Sequence, residues 1–401
     1  MNLESPGLDR TVLRPWALRW ELGMLPWYSP PPAGWRAVVL LLWAGRVDSA
    51  RARCQELLAR SPEREDLKAR FGVLQLAVGN HPEDATVSIR SAVHKDPLNA
   101  RLRLWLGEAL VRAGDAAGAL EQLEAGLRAR PDMVDLWQSK GVLLLAIGRP
   151  GEALVYLDGA LAARPDSGPL WNNRGLCLDH LGRYEAAAAS YRRARRMIPT
   201  DGAVWANLGL VLQKIGESTE ALGCMQKALR LRPKDPVVLN NLGFSLLAAG
   251  RPEEAIESYR QAHDLEPGSV FTLGNLAAAL VRAGRQSEAA VALESALSLS
   301  PGDATLLNNK GHLLMAAGQY QEALDCFEAA LERRWDDAPM LANKAACLLA
   351  MGEYDRALTA YRLAALTEPR NRSYLWGLGL CFERLGQPDQ AFDCYNHAVG
   401  G

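Results

Sequence analysis

Six asparagines, Asn173, Asn207, Asn241, Asn275, Asn309 and Asn343, stand 34 residues apart in a chain of 401. A carboxamide carries one acceptor and two donors, the complement of the donor and acceptor of a peptide unit, so a row of them can hold an extended main chain without reading its side chains. The competing role for the same residues is a hydrogen bond to the adjoining repeat. Other positions expected on this face are small or apolar, as at Ala206, Phe244, Leu247, Gly274, Ala278, Val281, Met315 and Ala342. They leave room for a backbone. A sparser basic row, Arg112, His180, Lys214, Arg282 and Arg384, favours a ligand bearing some carboxylates. We take the six asparagines, with Lys214, Arg282 and His312, as the candidate peptide-binding residues.

No other chemistry finds residues arranged for it. The six histidines (His81, His94, His180, His263, His312, His397) are scattered, and none stands beside a cysteine or carboxylate at a spacing that ligates a metal on one helical turn. GxxxxGK[ST], GxGxxG after a strand and GxSxG do not occur. No catalytic residue, metal or cofactor is expected, and the chain reads as a non-enzyme. Cys177, Cys347 and Cys381 share one position in their repeats and read as small core residues. The run Arg192-Arg193-Ala194-Arg195-Arg196 lacks the aromatic interleaving that base stacking needs, so it reads as a solvated helix face.

These side chains must be carried by something periodic. Glycine falls at 114, 148, 182, 216, 250, 284, 318, 352 and 386, and alanine five residues after each, from Ala119 to Ala391. A third row of small residues runs from Gly126 and Ala160 to Ala398, and a fourth holds proline at 131, 165, 199, 233, 267, 301 and 369, with Trp335 as its departure. Glycine ends one helix and lets the chain fold back, proline marks a helix boundary, and alanine lets two helix backbones come close. The period therefore encodes two helices per unit. Nine strong units begin at Ala100, Val134, Gly168, Gly202, Pro236, Val270, Ala304, Ala338 and Arg372. Two divergent units, Pro31 to Arg64 and Glu65 to Asn99, precede them and make eleven. The expected organisation is a Trp-rich capping or docking segment at residues 1–30, two divergent repeats at 31–99 and nine strong repeats at 100–401.

The stretch Trp205-Ala206-Asn207-Leu208-Gly209, followed by Gly216, Ala221, Ala228 and Pro233, resembles the signature of the tetratricopeptide repeat (TPR) family. The resemblance covers about three quarters of the chain in its strong form. It implies an all-α fold, a right-handed α-solenoid of about eleven antiparallel helix-pair repeats whose first helices line a concave groove. The six asparagines resemble the asparagine ladder of the TPR superhelices in O-linked N-acetylglucosamine transferase and kinesin light chains. TPRs that clamp the C-terminal carboxylate of heat-shock chaperones place lysine where this chain has Leu104, Gln138, Asn172, Ala206, Asn240, Gly274, Asn308, Ala342 and Trp376. No lysine stands in that row, which argues against chaperone-tail binding of that kind.

Charge and composition set further bounds. With 45 basic and 46 acidic side chains the net charge is −1, which gives no global attraction to nucleic acid or to an acidic membrane. No apolar run approaches the roughly 18–20 residues that span a bilayer, and no signal peptide opens the chain. Seven cysteines without a CxxC pair suit a reducing compartment, so a cytoplasmic location is expected. The expected function is a protein-interaction scaffold or adaptor that binds an extended peptide of a partner in its groove. The alternative is a self-assembling structural protein, a homo-oligomer driven by residues 1–30 or by the apolar end near Gly400.

Overall fold

The computed structural model describes residues 34–43, 46–78 and 82–400, and all regular structure among them is helical. The segment Met1 to Pro30 lies outside the described residues. The first helices of the nine strong units are Ala100–Arg112, Val134–Ala146, Gly168–His180, Gly202–Ile215, Pro236–Ala248, Val270–Arg282, Ala304–Ala316, Ala338–Met351 and Arg372–Arg384. Their second helices are Ala116–Ala129, Pro150–Ala163, Tyr184–Met197, Ser218–Leu231, Pro252–Leu265, Gln286–Leu299, Tyr320–Arg333, Tyr354–Thr367 and Pro388–Gly400. Trp35–Trp43 with Val47–Arg60, and Glu65–Val78 with Pro82–Lys95, come before them. The chain packs as two compact units, one running to Ile215 and the other from Gly216.

Each helix begins and ends for local reasons. Asp235, Asp303 and Asp337 cap the first helices after them, their carboxylates accepting from the N–H groups of Val237, Leu306 and Met340 at 2.9 to 3.1 Å. The recurrent glycine closes the other end. At Gly250, φ is +73°, and a Cβ placed there would meet nothing within 4 Å, so the backbone conformation alone selects glycine. With Gly250 in that conformation, Arg251 N–H reaches back to the carbonyl of Leu246 at 2.9 Å, the six-to-one bond that closes a helix end.

A second set of glycines exists for the opposite reason, lack of space. At Gly243, inside a first helix, a methyl would sit 2.7 Å from Cζ of Tyr259 on the second helix. Gly175 over Tyr191, Gly311 over Phe327 and Gly379 over Tyr395 repeat the arrangement. In the repeats at 100 and 134 the residue beneath the glycine is leucine, Leu123 and Leu157. The alanine row completes the close approach, with Ala119, Ala153, Ala187, Ala255, Ala289, Ala323 and Ala357 wholly out of solvent.

Tyr259 and Tyr191 are fully buried with hydroxyls that find no partner among the described residues. Phe327 occupies the same repeat position without a hydroxyl. Two outcomes follow. Gly243→Ala should lower stability by about 1–3 kcal/mol in urea unfolding through overpacking, and Tyr259→Leu in the same chain should restore most of the loss, as Ala277 with Leu293 occupies these two positions one repeat later. Tyr259→Phe should leave stability unchanged or raise it by up to about 1 kcal/mol, because it removes an unpaired buried hydroxyl.

Candidate peptide-binding face

Within each unit the first helices of neighbouring repeats approach backbone to backbone, whereas the second helices of neighbouring repeats meet only through long side chains, as in Arg260 Nη2 donating to Glu288 at 2.8 Å. The side lined by first helices is therefore the more tightly curved one. The asparagine row lies on these first helices, and three of its carboxamides reach the first helix of the repeat before.

The six asparagines are not equivalent. Asn207 Nδ2 donates to Asn172 Oδ1 at 3.1 Å, Asn275 Nδ2 to Asn240 Oδ1 at 3.2 Å, and Asn343 Nδ2 to Asn308 Oδ1 at 2.9 Å. In each case the acceptor lies 35 residues earlier, one place before its own repeat's ladder asparagine. These three bonds tie adjoining repeats together. Asn241 and Asn309 are half-buried, and their carboxamides have no hydrogen-bonding partner among the described residues. For Asn309 the reason is compositional. Thirty-five residues before it stands Gly274, which offers no side-chain acceptor. Gly274 is held small by packing, since a Cβ there would lie 3.0 Å from Leu306 Cδ2. Asn173 also lacks a partner but is only 5% exposed.

The charged candidates are largely engaged within the fold. Lys214 Nζ lies 2.5 Å from Asp179 Oδ1, and its ammonium sits 5.1 Å from the centre of the Tyr184 ring. Arg282 Nη1 donates to the carbonyl of Leu247 at 3.4 Å and remains exposed, and Arg112 makes the corresponding bond to Leu76. Three members of the basic row, Arg112, Lys214 and Arg282, thus link their repeats to the ones before. His312 meets Phe327 edge to face at 5.6 Å, and desolvation holds its imidazole below the ordinary histidine range, so it is neutral at physiological pH.

Elsewhere the chemistry is muted. Burial pushes the Cys177 thiol up to about 12 and that of Cys381 to about 11, and it raises Cys347 as well, so these thiols stay protonated and poorly nucleophilic. No group of three or more His, Cys, Asp or Glu among the described residues is placed to hold a metal ion, and no described helix is long and apolar enough to cross a membrane. A crevice of about 940 Å³ opens between the turns at 63–66, 95–102 and 129–133. Its rim charges already pair with neighbours, as in Arg64 with Asp66 and Arg130 with Asp132. Trp137, Trp171 and Trp205 seal comparable junctions by donating from Nε1 to the carbonyls of Pro131, Pro165 and Pro199 at 2.7 to 2.8 Å. Arg193 and Arg195 of the basic run lie over the Trp171 and Trp205 rings at 4.5 and 4.9 Å, so indoles do accompany that run, covered by guanidinium groups.

Stacked helix pairs of this kind define a repeat protein. Residues 280–347 and 314–379, and again 373–399, match models of the tetratricopeptide repeat, and residues 85–305 match the model described as the C-terminal domain of cilia and flagella-associated protein 70. The chain belongs to the tetratricopeptide-repeat proteins and, with more than half its length matched, to the cilia and flagella-associated protein 70 C-terminal domain family. Among solved structures it is similar to a tetratricopeptide repeat protein from Parabacteroides merdae, at 18% identity over 62% of this chain and 99% of that one, with a TM-score of 0.52. It is also similar to yeast Tom70, at 15% identity over 97% of this chain and 92% of that one, with a TM-score of 0.51. Similarity at this level reflects the shared fold. No curated protein matches the sequence.

Asn172, Asn240 and Asn308, the acceptors of the inter-repeat bonds, are functional residues that reasoning from a 34-residue period passes over. Their signal is the Asn-Asn pair, which recurs every 68 residues. Asn343→Ala should lower the melting temperature by about 2–4 °C, since Asn308 loses a hydrogen bond of about 1 kcal/mol. Asn309→Ala should leave melting unchanged. Differential scanning calorimetry of the two variants separates these outcomes.

Proposed function

We propose that the protein is a non-catalytic scaffold or adaptor whose first-helix face holds an extended segment of a partner protein. The tetratricopeptide fold is one that mediates protein–protein interaction, and its families are typically without catalytic activity. The observation that carries the finer reading is the state of Asn241 and Asn309, two half-buried carboxamides on neighbouring stretches of one face with no partner among the described residues. A free amide in a recess is matched by a peptide unit, which supplies the missing donor and acceptor together. Many weak contacts along such a face add up to micromolar affinity, about −8 kcal/mol.

The test is a quantitative affinity purification from the native cell with the whole chain as bait. Replacing Asn241 and Asn309 together by alanine should reduce recovery of the specific partners roughly tenfold, the equivalent of one to two hydrogen bonds, with the circular dichroism spectrum unchanged. Equal recovery by both baits rejects the groove as the binding site.

A further inference from the structure

The hydrogen bonds of the ladder recur every 68 residues, twice the repeat length. Asn207, Asn275 and Asn343 spend a donor on Asn172, Asn240 and Asn308, while Asn241 and Asn309 spend none. The aromatic residues beneath the first helices do not share this period, since Tyr361 stands between Phe327 and Tyr395 in the repeat at 338. From 168 to 338 the asparagines alone alternate two kinds of repeat. Those at 168, 236 and 304 carry the Asn-Asn pair. Those at 202, 270 and 338 place a small residue before a single asparagine.

From this alternation we infer that the face grips its ligand at every second repeat and is locked shut by amide bonds in between. The inference rests on the peptide-binding role proposed above and specifies the ligand of that site. At the locked levels one donor each of Asn275 and Asn343 is already spent on Asn240 and Asn308, which holds the paired carboxamides in place. At the grip level of Asn309 no such bond forms, because Gly274, one repeat earlier, has no side chain to accept it and Leu306 packs over it. A main-chain amide of the ligand has a partner there.

The doubled period fixes a spacing. Packed helices lie about 8–10 Å apart, so grips two repeats apart are separated by roughly 16–20 Å. An extended chain rises about 3.3 Å per residue, so the two anchor points on the ligand are roughly five to six residues apart. The ligand is therefore an extended peptide segment anchored through its main chain at two points, with the intervening residues passing over a closed surface.

The probe is a fluorescein-labelled peptide selected against the full chain from a random 15-residue library, with binding read by fluorescence anisotropy and melting read on the same samples. Asn241→Ala with Asn309→Ala should weaken binding roughly tenfold or more and leave melting unchanged. Asn275→Ala with Asn343→Ala should lower melting by a few degrees and change affinity less than about threefold. Scanning the peptide by N-methylation, which removes one main-chain donor at a time, should find two sensitive positions about five to six residues apart. Equal losses from both protein variants, or sensitive positions at half that spacing, would overturn the doubled period while leaving the groove reading intact. A peptide indifferent to both variants, or a library that yields no binder, would remove the groove reading itself.

Discussion

The approach of one helix backbone to the side chain beneath it is the constraint on which this molecule depends. A single helix pair cannot cover both of its apolar faces, so each must be completed by the next, and the distance of closest approach decides whether that happens. Glycine at 175, 243, 311 and 379 sets this distance by admitting an aromatic ring where any Cβ would collide. The alanines at 119, 153, 187 and their equivalents set it between the two helices of a pair. Because packed interiors tolerate few voids, the residue above and the side chain beneath constrain one another. Leu293 accompanies Ala277 in keeping with that constraint, whereas the repeat at 338 combines Tyr361 with Ala345.

Much of this was legible in the residues. The glycine, alanine and proline rows announce helix, turn and close contact at fixed offsets, and each has a backbone or steric cause that survives without knowledge of the neighbours. Gly250 needs only its own positive φ to be understood. The ladder was less legible, because a carboxamide's role depends on what stands 35 residues earlier. Asn275 and Asn309 look alike in their own repeats. One faces Asn240 and donates to it, and the other follows Gly274 and has nothing to bond. A search tuned to 34 residues averages these two environments into one consensus and loses the distinction. Lys214 stands in the basic row expected to favour a ligand's carboxylates, and what its own repeat does not reveal is its pairing with Asp179 of the preceding one.

Polar bonds between repeats have a consequence beyond stability. An amide–amide bond contributes only about 1 kcal/mol, little beside the burial of the alanine and leucine rows. Yet it fixes the relative rotation of two first helices, which apolar contacts, being non-directional, do less well. Asn207, Asn275 and Asn343, with Arg112 and Arg282 reaching the carbonyls of Leu76 and Leu247, make several such directional links along one side of their units. The second helices carry exposed ion pairs instead, some within one repeat, as in Arg251 with Glu254, and some between repeats, as in Arg260 with Glu288 and Arg356 with Glu328, each of small energetic weight.

Rigidity on the first-helix side bears directly on affinity. Binding an extended segment already requires the ligand to lose conformational freedom, about 1–2 kcal/mol per fixed residue, and a scaffold that also had to order itself would bind more weakly still. A face that locks alternate repeats keeps its remaining amides in place before the ligand arrives. The free amides at Asn241 and Asn309 are only half-buried, so water can solvate them in the meantime and their lack of a protein partner costs little. A fully buried carboxamide would have had to be paired to be tolerated, and a fully exposed one would offer a peptide no advantage over water. Half-burial is the condition under which an unpaired amide is both tolerable in the free protein and useful in a complex.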